Sequence, residues 1–164
     1  MHKKGAIITI DGPSGSGKST ISKQLAAKLR YTFLDTGAMY RAVGLKVERA
    51  GLAMTDTEAL TRMLDATELR LLPGADEHVR VFLDNEDVSL AIRTAAMGLV
   101  ASKVSAHPAV RNKLTLLQRE MGRKGGVVAE GRDTGTVVFP EADCKFFLDA
   151  SPEIGRASCR ERVC

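Results

Sequence analysis

The chain has 164 residues, of which 44% are apolar, so it is long enough for one compact domain with a core and too apolar for a disordered protein. The formal net charge of +4, without Lys/Arg clusters interleaved with aromatic residues, does not predict nucleic-acid binding, and the three cysteines predict neither a disulfide framework nor a zinc site. No apolar run reaches the length of a membrane span, and the run behind Met1–Lys4 ends at Asp11, too early for a signal peptide, so we expect a cytosolic protein without membrane association.

The N-terminal third alternates between strand and helix patterns. Residues 6–10 form an Ile-rich run that predicts a buried parallel strand, and a Gly/Ser-rich turn follows at 12–17. The next helix is expected to bury the face that carries Ile21, Leu25 and Leu29. A strand at 31–34 and a helix at 39–50, ended by Gly51, are predicted after it.

The middle of the chain changes character. Thr55 and Glu58 have the spacing of a capping box, which predicts the start of a helix. Within the region from about 69 to 90, apolar residues alternate with polar ones, at Val79, Val81 and Leu83. A turn is expected at 84–87. The pattern predicts a small, half-solvated antiparallel hairpin inserted into an otherwise α/β chain.

The last part of the chain returns to the α/β pattern. Helices are predicted at 92–104 and from Pro108, and His107 is expected to cap the second of them. The apolar stripe of this second helix is Val110, Leu114, Leu117 and Met121. Two further strands and a helix start are predicted at residues 127–129, 145–148 and 151–153.

Residues 12–19 match the phosphate-loop motif G-x-x-x-x-G-K-[ST] at every position. The glycines allow a tight turn that directs backbone N–H groups at phosphate oxygens, and the following helix presents its N-terminus to the same anion. Lys18 is expected to reach the β- and γ-phosphates of ATP, and the Ser19 hydroxyl to ligate Mg²⁺. The predicted ATP contacts are Gly12, Pro13, Ser14, Gly15, Ser16, Gly17, Lys18, Ser19 and Thr20.

A phosphate loop alone does not identify a function. The guanine signature Asn-Lys-x-Asp of GTPases begins at Asn112 but does not continue, and no D-x-x-G occurs. A motor or transporter ATPase would be longer and would usually end its Walker B strand in an acidic pair. Here the strand Val127–Glu130 is followed by Gly, Arg132 and Asp133, which favours a small kinase. Arg132 can hold a phosphate, and Asp133 can order the waters of Mg²⁺ or receive a base edge.

Residues 35–41 follow the second predicted strand. Loops at the carboxyl ends of the strands of a doubly wound sheet face the ligand crevice. Arg41 is therefore expected to hold the phosphate of an acceptor molecule. The alternative is an exposed helix arginine with Tyr40 packed beneath it.

Five segments occur in an order that resembles the bacterial cytidylate kinase family: D-G-P-S-G-x-G-K-S-T, D-T-G-A-M-Y-R, D-V-S-x-x-I-R-T, H-P-x-V-R and G-R-D-x-G-T-V-V-F-P. The resemblance extends from residue 5 to about residue 153. It implies transfer of the γ-phosphate of ATP to CMP or dCMP with Mg²⁺, and it implies that the hairpin belongs to the CMP-binding region. We expect a monomer whose partners are these nucleotides and not nucleic acid.

The resemblance also implies roles for individual residues. Thr36, Tyr40 and Arg41 would contact the acceptor nucleotide, and Arg132 would contact a phosphate. The residues that would recognise cytosine are Ser102, Arg111 and Asp133. Cytosine presents an amino donor beside two acceptors, so a carboxylate with Ser and Arg donors can match its edge. Without the resemblance, Ser102 would be interpreted as a helix-surface hydroxyl and Arg111 as a solvated helix charge.

This interpretation needs no general base, because the acceptor is a phosphate oxygen that is already ionised at neutral pH. Catalysis is then alignment and charge neutralisation. The residues expected to carry it are Lys18, Arg41, Arg132 and Asp133.

The predicted fold is α/β, with a parallel sheet of the P-loop kinase type and a small inserted substrate-binding subdomain, as a single domain over residues 1–154. The family continues with a further strand and an arginine-rich lid, which we expect to be missing, and we interpret residues 155–164 as a non-native tail. Two alternatives remain. One is a P-loop kinase for another small acceptor, such as AMP, UMP or a metabolite, and the other is a nucleotide-binding fragment without turnover.

Overall fold

A computed structural model of the chain describes residues 5–74 and 79–149. These residues form two compact units, the first containing 5–35 and 121–149 and the second containing 36–74 and 79–120. The predicted helix start at 151–153 and the predicted tail at 155–164 lie outside the described residues, so the domain boundary at 154 stays a prediction. In the described part of the chain, no helix combines the length and the hydropathy that a membrane span requires.

The described chain contains twelve regular helices and strands and two short helical turns. In chain order they are β1 (Ile7–Asp11), α1 (Lys18–Leu29), β2 (Thr32–Asp35), α2 (Thr36–Arg49), α3 (Thr57–Asp65), β3 (Leu69–Pro73), β4 (Val79–Leu83), β5 (Glu86–Asp87), α4 (Ala95–Ser105), α5 (Pro108–Gly122), β6 (Val127–Gly131) and β7 (Cys144–Phe147). A 3₁₀ turn covers Ala91–Arg93, and a π-helical turn covers Thr134–Val138.

The first unit is built on a four-stranded parallel sheet in the order β2-β6-β1-β7. This confirms the predicted α/β class and the four predicted strands, whose ends shift by one or two residues. Val127, Val128 and Ala129 are all buried, since the middle of a parallel sheet is covered on both faces. The register sets Asp11 opposite Gly131, and Glu130 opposite Ile10 on one side and Asp35 on the other. Three carboxylate residues therefore end neighbouring strands at one edge of the sheet.

The buried face of α1 differs from the prediction. Ile21 and Leu29 are 45% and 42% exposed, whereas Ser22 and Ala26 are fully buried and Leu25 is half-buried against the core. Ala26 packs with Ile8, Ile10 and Val128. Small side chains one helical turn apart let the helix backbone approach the sheet closely, and that close approach outweighs the apolar periodicity of the helix.

The second unit contains α2 to α5 and a three-stranded antiparallel sheet in the order β3-β4-β5. Its buried apolar side chains come from all of these helices and from the sheet, among them Met39, Leu60, Val81, Val104 and Leu114. The predicted stripe of α5 is confirmed at Val110 and Leu114. Further along the helix Gln118 is buried, whereas Leu117 and Met121 are only partly so.

The antiparallel hairpin is confirmed, with β4 carrying the predicted alternation. Its turn is shorter than predicted: Asp84 and Asn85 alone have positive φ angles, of 48° and 69°, as a two-residue hairpin loop requires. Glu86 and Asp87 pair with β4 as a third strand. Residues 75–78, which connect β3 to β4, lie outside the described residues.

Three predicted helix starts shift, each for a local reason. The cap of α3 is Asp56, whose Oδ1 accepts the Ala59 N–H at 2.9 Å, so the Thr55–Glu58 capping box is wrong. Thr94 caps α4 in the same way, and the residues before it form the 3₁₀ turn. Helix α2 begins directly after β2, at Thr36.

Candidate functional site

The phosphate loop has the backbone that its sequence predicts. Gly15 and Gly17 adopt φ angles of 79° and 84°, and Gly17 is the N-cap of α1 without a side-chain cap. The N–H groups of the first turn of α1 are therefore available to an anion. Gly12, with φ 151°, lies where a Cβ would be 2.0 Å from the Leu148 carbonyl oxygen, so only glycine fits there.

Lys18 is the first residue of α1 and is only 8% exposed. Its Nζ donates hydrogen bonds to the Pro13 carbonyl at 2.5 Å and to Ser16 Oγ at 3.4 Å. Burial lowers the pKa of the Lys18 amine, Glu130 opposes this, Arg132 lowers the pKa further and Asp11 raises it. The amine is thus held inside the loop, where it interacts electrostatically with Asp11 of β1, Glu130 of β6 and Arg132 after β6.

Ser19 and Glu130 form the second part of the site. The Ser19 hydroxyl donates a hydrogen bond to Glu130 Oε1 at 2.8 Å. A P-loop hydroxyl beside the acidic residue of a neighbouring strand is the usual holder of Mg²⁺ in P-loop proteins. The sequence predicts Ser19 as the Mg²⁺ ligand, with Asp133 able to order the waters of the ion, and it assigns no ligand role to Glu130. Its position directly after the three buried residues of β6 is a signal for this role.

Arg132 and Asp133 connect β6 to the π-helical turn at 134–138. Arg132 is exposed and directly follows Gly131, which pairs with Asp11 at the start of the phosphate loop. Its charge contributes to lowering the pKa of Lys18. The Asp133 carbonyl accepts the Val137 N–H at 2.8 Å, which starts the turn. The turn itself was not predicted. The ligand roles of both side chains stay predictions.

The other predicted acceptor residues all belong to the second unit. Thr36 and Tyr40 lie one turn apart on α2 and share a face, with Arg41 next to them. Thr36 is buried, and Tyr40 and Arg41 are half-buried. Ser102 is an exposed residue of α4, and Arg111 is a half-buried residue of the first turn of α5. Their roles in binding an acceptor stay predictions.

His107 has the structural role that the sequence predicts. Its Nδ1 accepts the Ala109 N–H at 3.2 Å, in the first turn of α5. The imidazole therefore satisfies a donor that the helix itself leaves unpaired.

The parallel sheet, the phosphate loop on the way to α1 and the Ser19–Glu130 pair together define a P-loop nucleotide-binding protein. The sequence model of the cytidylate kinase family matches residues 8–162. The chain therefore belongs to the cytidylate kinase family.

Curated relatives agree with the family match. The cytidylate kinase of Syntrophotalea carbinolica is 55% identical over 145 residues, which are 88% of this chain and 61% of that protein. The cytidylate kinase of Geobacter sp. (strain M21) is 50% identical over 93% of this chain and 65% of its own length. That of Pelotomaculum thermopropionicum is 51% identical over 95% of this chain and 69% of its own length. The chain thus spans about two thirds of the length of the relatives it matches.

Proposed function

We propose that the chain transfers the γ-phosphate of ATP to CMP or dCMP, giving ADP and CDP or dCDP. The proposal rests on the environment of Lys18. Its amine is buried in the phosphate loop, where the Glu130 carboxylate raises its pKa and the Arg132 charge lowers it. Such a collection of cations beside a hydroxyl–carboxylate pair suits a transferring phosphoryl group. The relatives at 50–55% identity are cytidylate kinases, which supports CMP as the acceptor.

The residues present fit ATP with Mg²⁺. Backbone N–H groups of the loop and of the first turn of α1 would hold phosphate oxygens, and Lys18 would reach the β- and γ-phosphates. Ser19 and Glu130 offer the oxygen ligands that Mg²⁺ prefers. No three His, Cys, Asp or Glu side chains of the described residues cluster as a metal site, so phosphate oxygens and water would complete the coordination. The bound ion would neutralise charge on the phosphates.

The acceptor side of the reaction needs alignment and not proton removal. The attacking phosphate oxygen of a nucleoside monophosphate is ionised at neutral pH. We propose that Arg41 and Arg132 hold this phosphate, because a planar guanidinium can bind two phosphate oxygens at once. Fixing it in line with the γ-phosphate lowers the barrier by removing the entropy cost of the encounter.

Selection of cytosine is proposed for Ser102, Arg111 and Asp133, with Thr36 and Tyr40 as further contacts of the acceptor. A carboxylate can accept from the cytosine amino group, and hydroxyl and guanidinium donors can satisfy its N3 and O2. The antiparallel sheet β3–β5 is proposed to belong to the same CMP-binding region. Its half-solvated strands leave polar side chains accessible.

The proposal is tested by measuring ADP release from ATP and Mg²⁺ by residues 1–164, with CMP, dCMP, UMP, AMP and GMP as acceptors. A site that hydrogen-bonds one base leaves its polar groups unpaired with another, so kcat/KM should favour CMP or dCMP over AMP and GMP by about 10⁴. Equal values for AMP and CMP would indicate a kinase of another acceptor. Binding of ATP without ADP release for any acceptor would indicate a nucleotide-binding module without turnover.

A further inference from the structure

The carboxylate of Asp11 is almost completely buried, at 6% exposed, although it has no place in the proposed ATP or CMP contacts. Asp11 is the last residue of β1 and directly precedes the phosphate loop. Its Oδ1 accepts the Thr134 N–H at 2.9 Å and the Thr134 hydroxyl at 2.7 Å, and its Oδ2 accepts the Gly135 N–H at 2.8 Å. We call these three hydrogen bonds the Asp11 clamp. They join residues more than 120 positions apart in the sequence.

The Asp11 clamp binds the first two residues of the π-helical turn, Thr134 and Gly135, which directly follow Arg132 and Asp133. At their N-terminal end, Arg132 and Asp133 directly follow β6, in which Gly131 pairs with Asp11. The Asp133 carbonyl also belongs to the turn, because it accepts the Val137 N–H at 2.8 Å. The backbone of Arg132 and Asp133 is therefore held at both ends by Asp11, once through its main chain and once through its carboxylate.

The turn also packs closely against β1. Thr134 is fully buried, and a Cβ added at Gly135 would lie 2.7 Å from Thr9 Oγ1 and 3.4 Å from Asp11 Oδ2. Gly135 is thus required by a close approach and not by its φ angle. Thr9 is also fully buried, and its hydroxyl has no hydrogen-bond partner among the described residues. Thr9 approaches the turn without bonding to it, and the side-chain hydrogen bonds that β1 makes to the turn within the described residues are those of Asp11.

Electrostatics connects the clamp to the phosphate loop. Asp11 raises the pKa of Lys18, whereas Arg132 lowers it, so both groups lie close enough to act on the same amine. A buried carboxylate is costly unless it is fully hydrogen-bonded, and here it is.

We propose that Asp11 is a positioning residue for the acceptor step: its carboxylate fixes the turn at 134–138 and thereby holds Arg132 and Asp133 in register with the phosphate loop. The inference rests on the proposed function, because Arg132 and Asp133 are proposed there to contact the acceptor. Displacement of such groups by about 1 Å can reduce a rate by about 10²-fold, even when no contacting residue is replaced.

Two variants of the full chain displace the turn by different means. In Asp11→Asn the amide group must face at least one backbone N–H, so either Thr134 or Gly135 loses its acceptor. That variant also removes a charge near Lys18. Gly135→Ala keeps every charge and moves the turn through the contact with Thr9 Oγ1. The matched control is Thr9→Val, which replaces a buried hydroxyl that bonds to nothing described with a methyl group of similar size.

The first measurement is amide hydrogen exchange, which does not depend on activity. In both displacing variants, exchange at residues 134–138 should become faster by about 10-fold or more, while Val127–Ala129 in β6 stay protected. Thr9→Val should leave both segments unchanged. Unchanged exchange at 134–138 in Asp11→Asn and Gly135→Ala would overturn the proposal.

The second measurement separates positioning from folding. At a temperature well below the Tm of each variant, kcat/KM for CMP should fall by about 10²-fold in Gly135→Ala, whereas its Kd for ATP should stay that of the wild type. Removing Thr9 Oγ1 as well, in the double variant Thr9→Ala/Gly135→Ala, should restore part of the lost kcat/KM. A perturbed turn with unchanged kinetics would mean that Asp11 is structural only, and the proposal would fail.

The outcomes distinguish this inference from the proposed function. If the wild type phosphorylates an acceptor other than CMP, the proposed function fails and the same comparison is made with that acceptor. If it phosphorylates none, the proposed function fails and the exchange rates at 132–138 decide whether Asp11 holds this segment. Should Asp11→Asn not fold, Gly135→Ala and the milder Thr134→Val, which removes one hydroxyl donor, provide the same readouts.

Discussion

Charged side chains are used in opposite ways at the carboxyl edge of the parallel sheet and on the antiparallel sheet β3–β5. At the first, Asp11 and Lys18 are 6% and 8% exposed and are surrounded by directed hydrogen bonds. On the second, Arg80 and Asp87 form an ion pair at 2.6 Å with side chains 53% and 35% exposed. Both regions are rich in charge, but Asp11 and Lys18 of the first are kept away from water, whereas Arg80 and Asp87 of the second are in contact with it.

Burial decides what these charges do. A buried charge loses its hydration, so it persists only where partners or a bound ligand compensate it, and its position is sharply defined. An exposed pair loses little hydration and gains little, so it is tolerant of change. Two such pairs, Arg80–Asp87 and Arg49–Glu86, involve the β4–β5 hairpin. A third pair at its turn, Lys46–Asp84, is less exposed, because the Lys46 side chain is 19% exposed. The comparison therefore predicts large functional effects at the parallel edge and small effects on the antiparallel sheet.

The largest effect is expected for Lys18→Ala. The variant removes the buried cation that is proposed to act on the transferring phosphoryl group, so kcat should fall by about 10²–10³-fold or more. The measurement is CMP-dependent ADP release under saturating nucleotide. Lys28→Ala is the matched control, because it removes an exposed lysine from the last turn of the same helix. Near-normal turnover by Lys18→Ala would contradict both the site and the importance given to burial.

A stability effect of intermediate size is expected on α1. Ala26 is 2% exposed within the core cluster, so Ala26→Leu should overpack it and reduce the free energy of unfolding by about 1–3 kcal/mol. Leu29→Ala, at a position that is 42% exposed, should change it by less than about 0.5 kcal/mol. Urea unfolding monitored by circular dichroism measures both. The periodicity of the sequence predicts the reverse order, so a larger loss for Leu29→Ala would show that the structural assignment of the buried face is wrong.

The parts of the fold that sequence predicts well are those fixed by local patterns. The four parallel strands follow from short apolar runs, and the phosphate loop follows from its glycines and Lys18. The β4–β5 hairpin follows from alternation before Asp84 and Asn85. The cap by His107 also needs only neighbouring residues. In each case the physical cause lies within a few positions of the residue that it affects.

The parts that sequence does not predict depend on distant contacts. Nothing near Asp11 in the sequence indicates that its carboxylate binds Thr134 and Gly135, and nothing near Ser19 indicates its bond to Glu130. The buried face of α1 is set by how closely the sheet approaches, which periodicity alone does not contain. The acceptor contacts of residues such as Ser102 and Arg111 stay predictions, because they concern a ligand and not the fold.

The smallest effect is expected at Asp87, where hydrogen bonds rather than burial set the charge state. The Ser89 hydroxyl and N–H donate to Asp87 Oδ1 at 2.5 and 3.0 Å, and Arg80 donates to Oδ2. Together, with Ser89 as the larger cause and Arg80 as the smaller, they lower the pKa of Asp87 from 3.8 to about 2. Between about pH 4 and pH 2 the Asp87 carboxylate binds a proton more readily in the unfolded chain than in the folded one. The contribution of Asp87 to stability is therefore present above about pH 4 and is lost as the pH falls through about 2.

Two variants separate the effect of Ser89 on the pKa of Asp87 from that of Arg80. Ser89→Ala should raise the pKa of Asp87 more than Arg80→Met does, as measured by a ¹³C titration of the carboxyl group. Since Ser89 Oγ also accepts the Val81 N–H at 2.9 Å, the exchange rate of that amide reports any loosening of β4 in the first variant. A larger shift for Arg80→Met would mean that an exposed ion pair outweighs two short-range hydrogen bonds. Charges on the antiparallel sheet would then matter more than their exposure implies, and the contrast between the two regions would no longer hold.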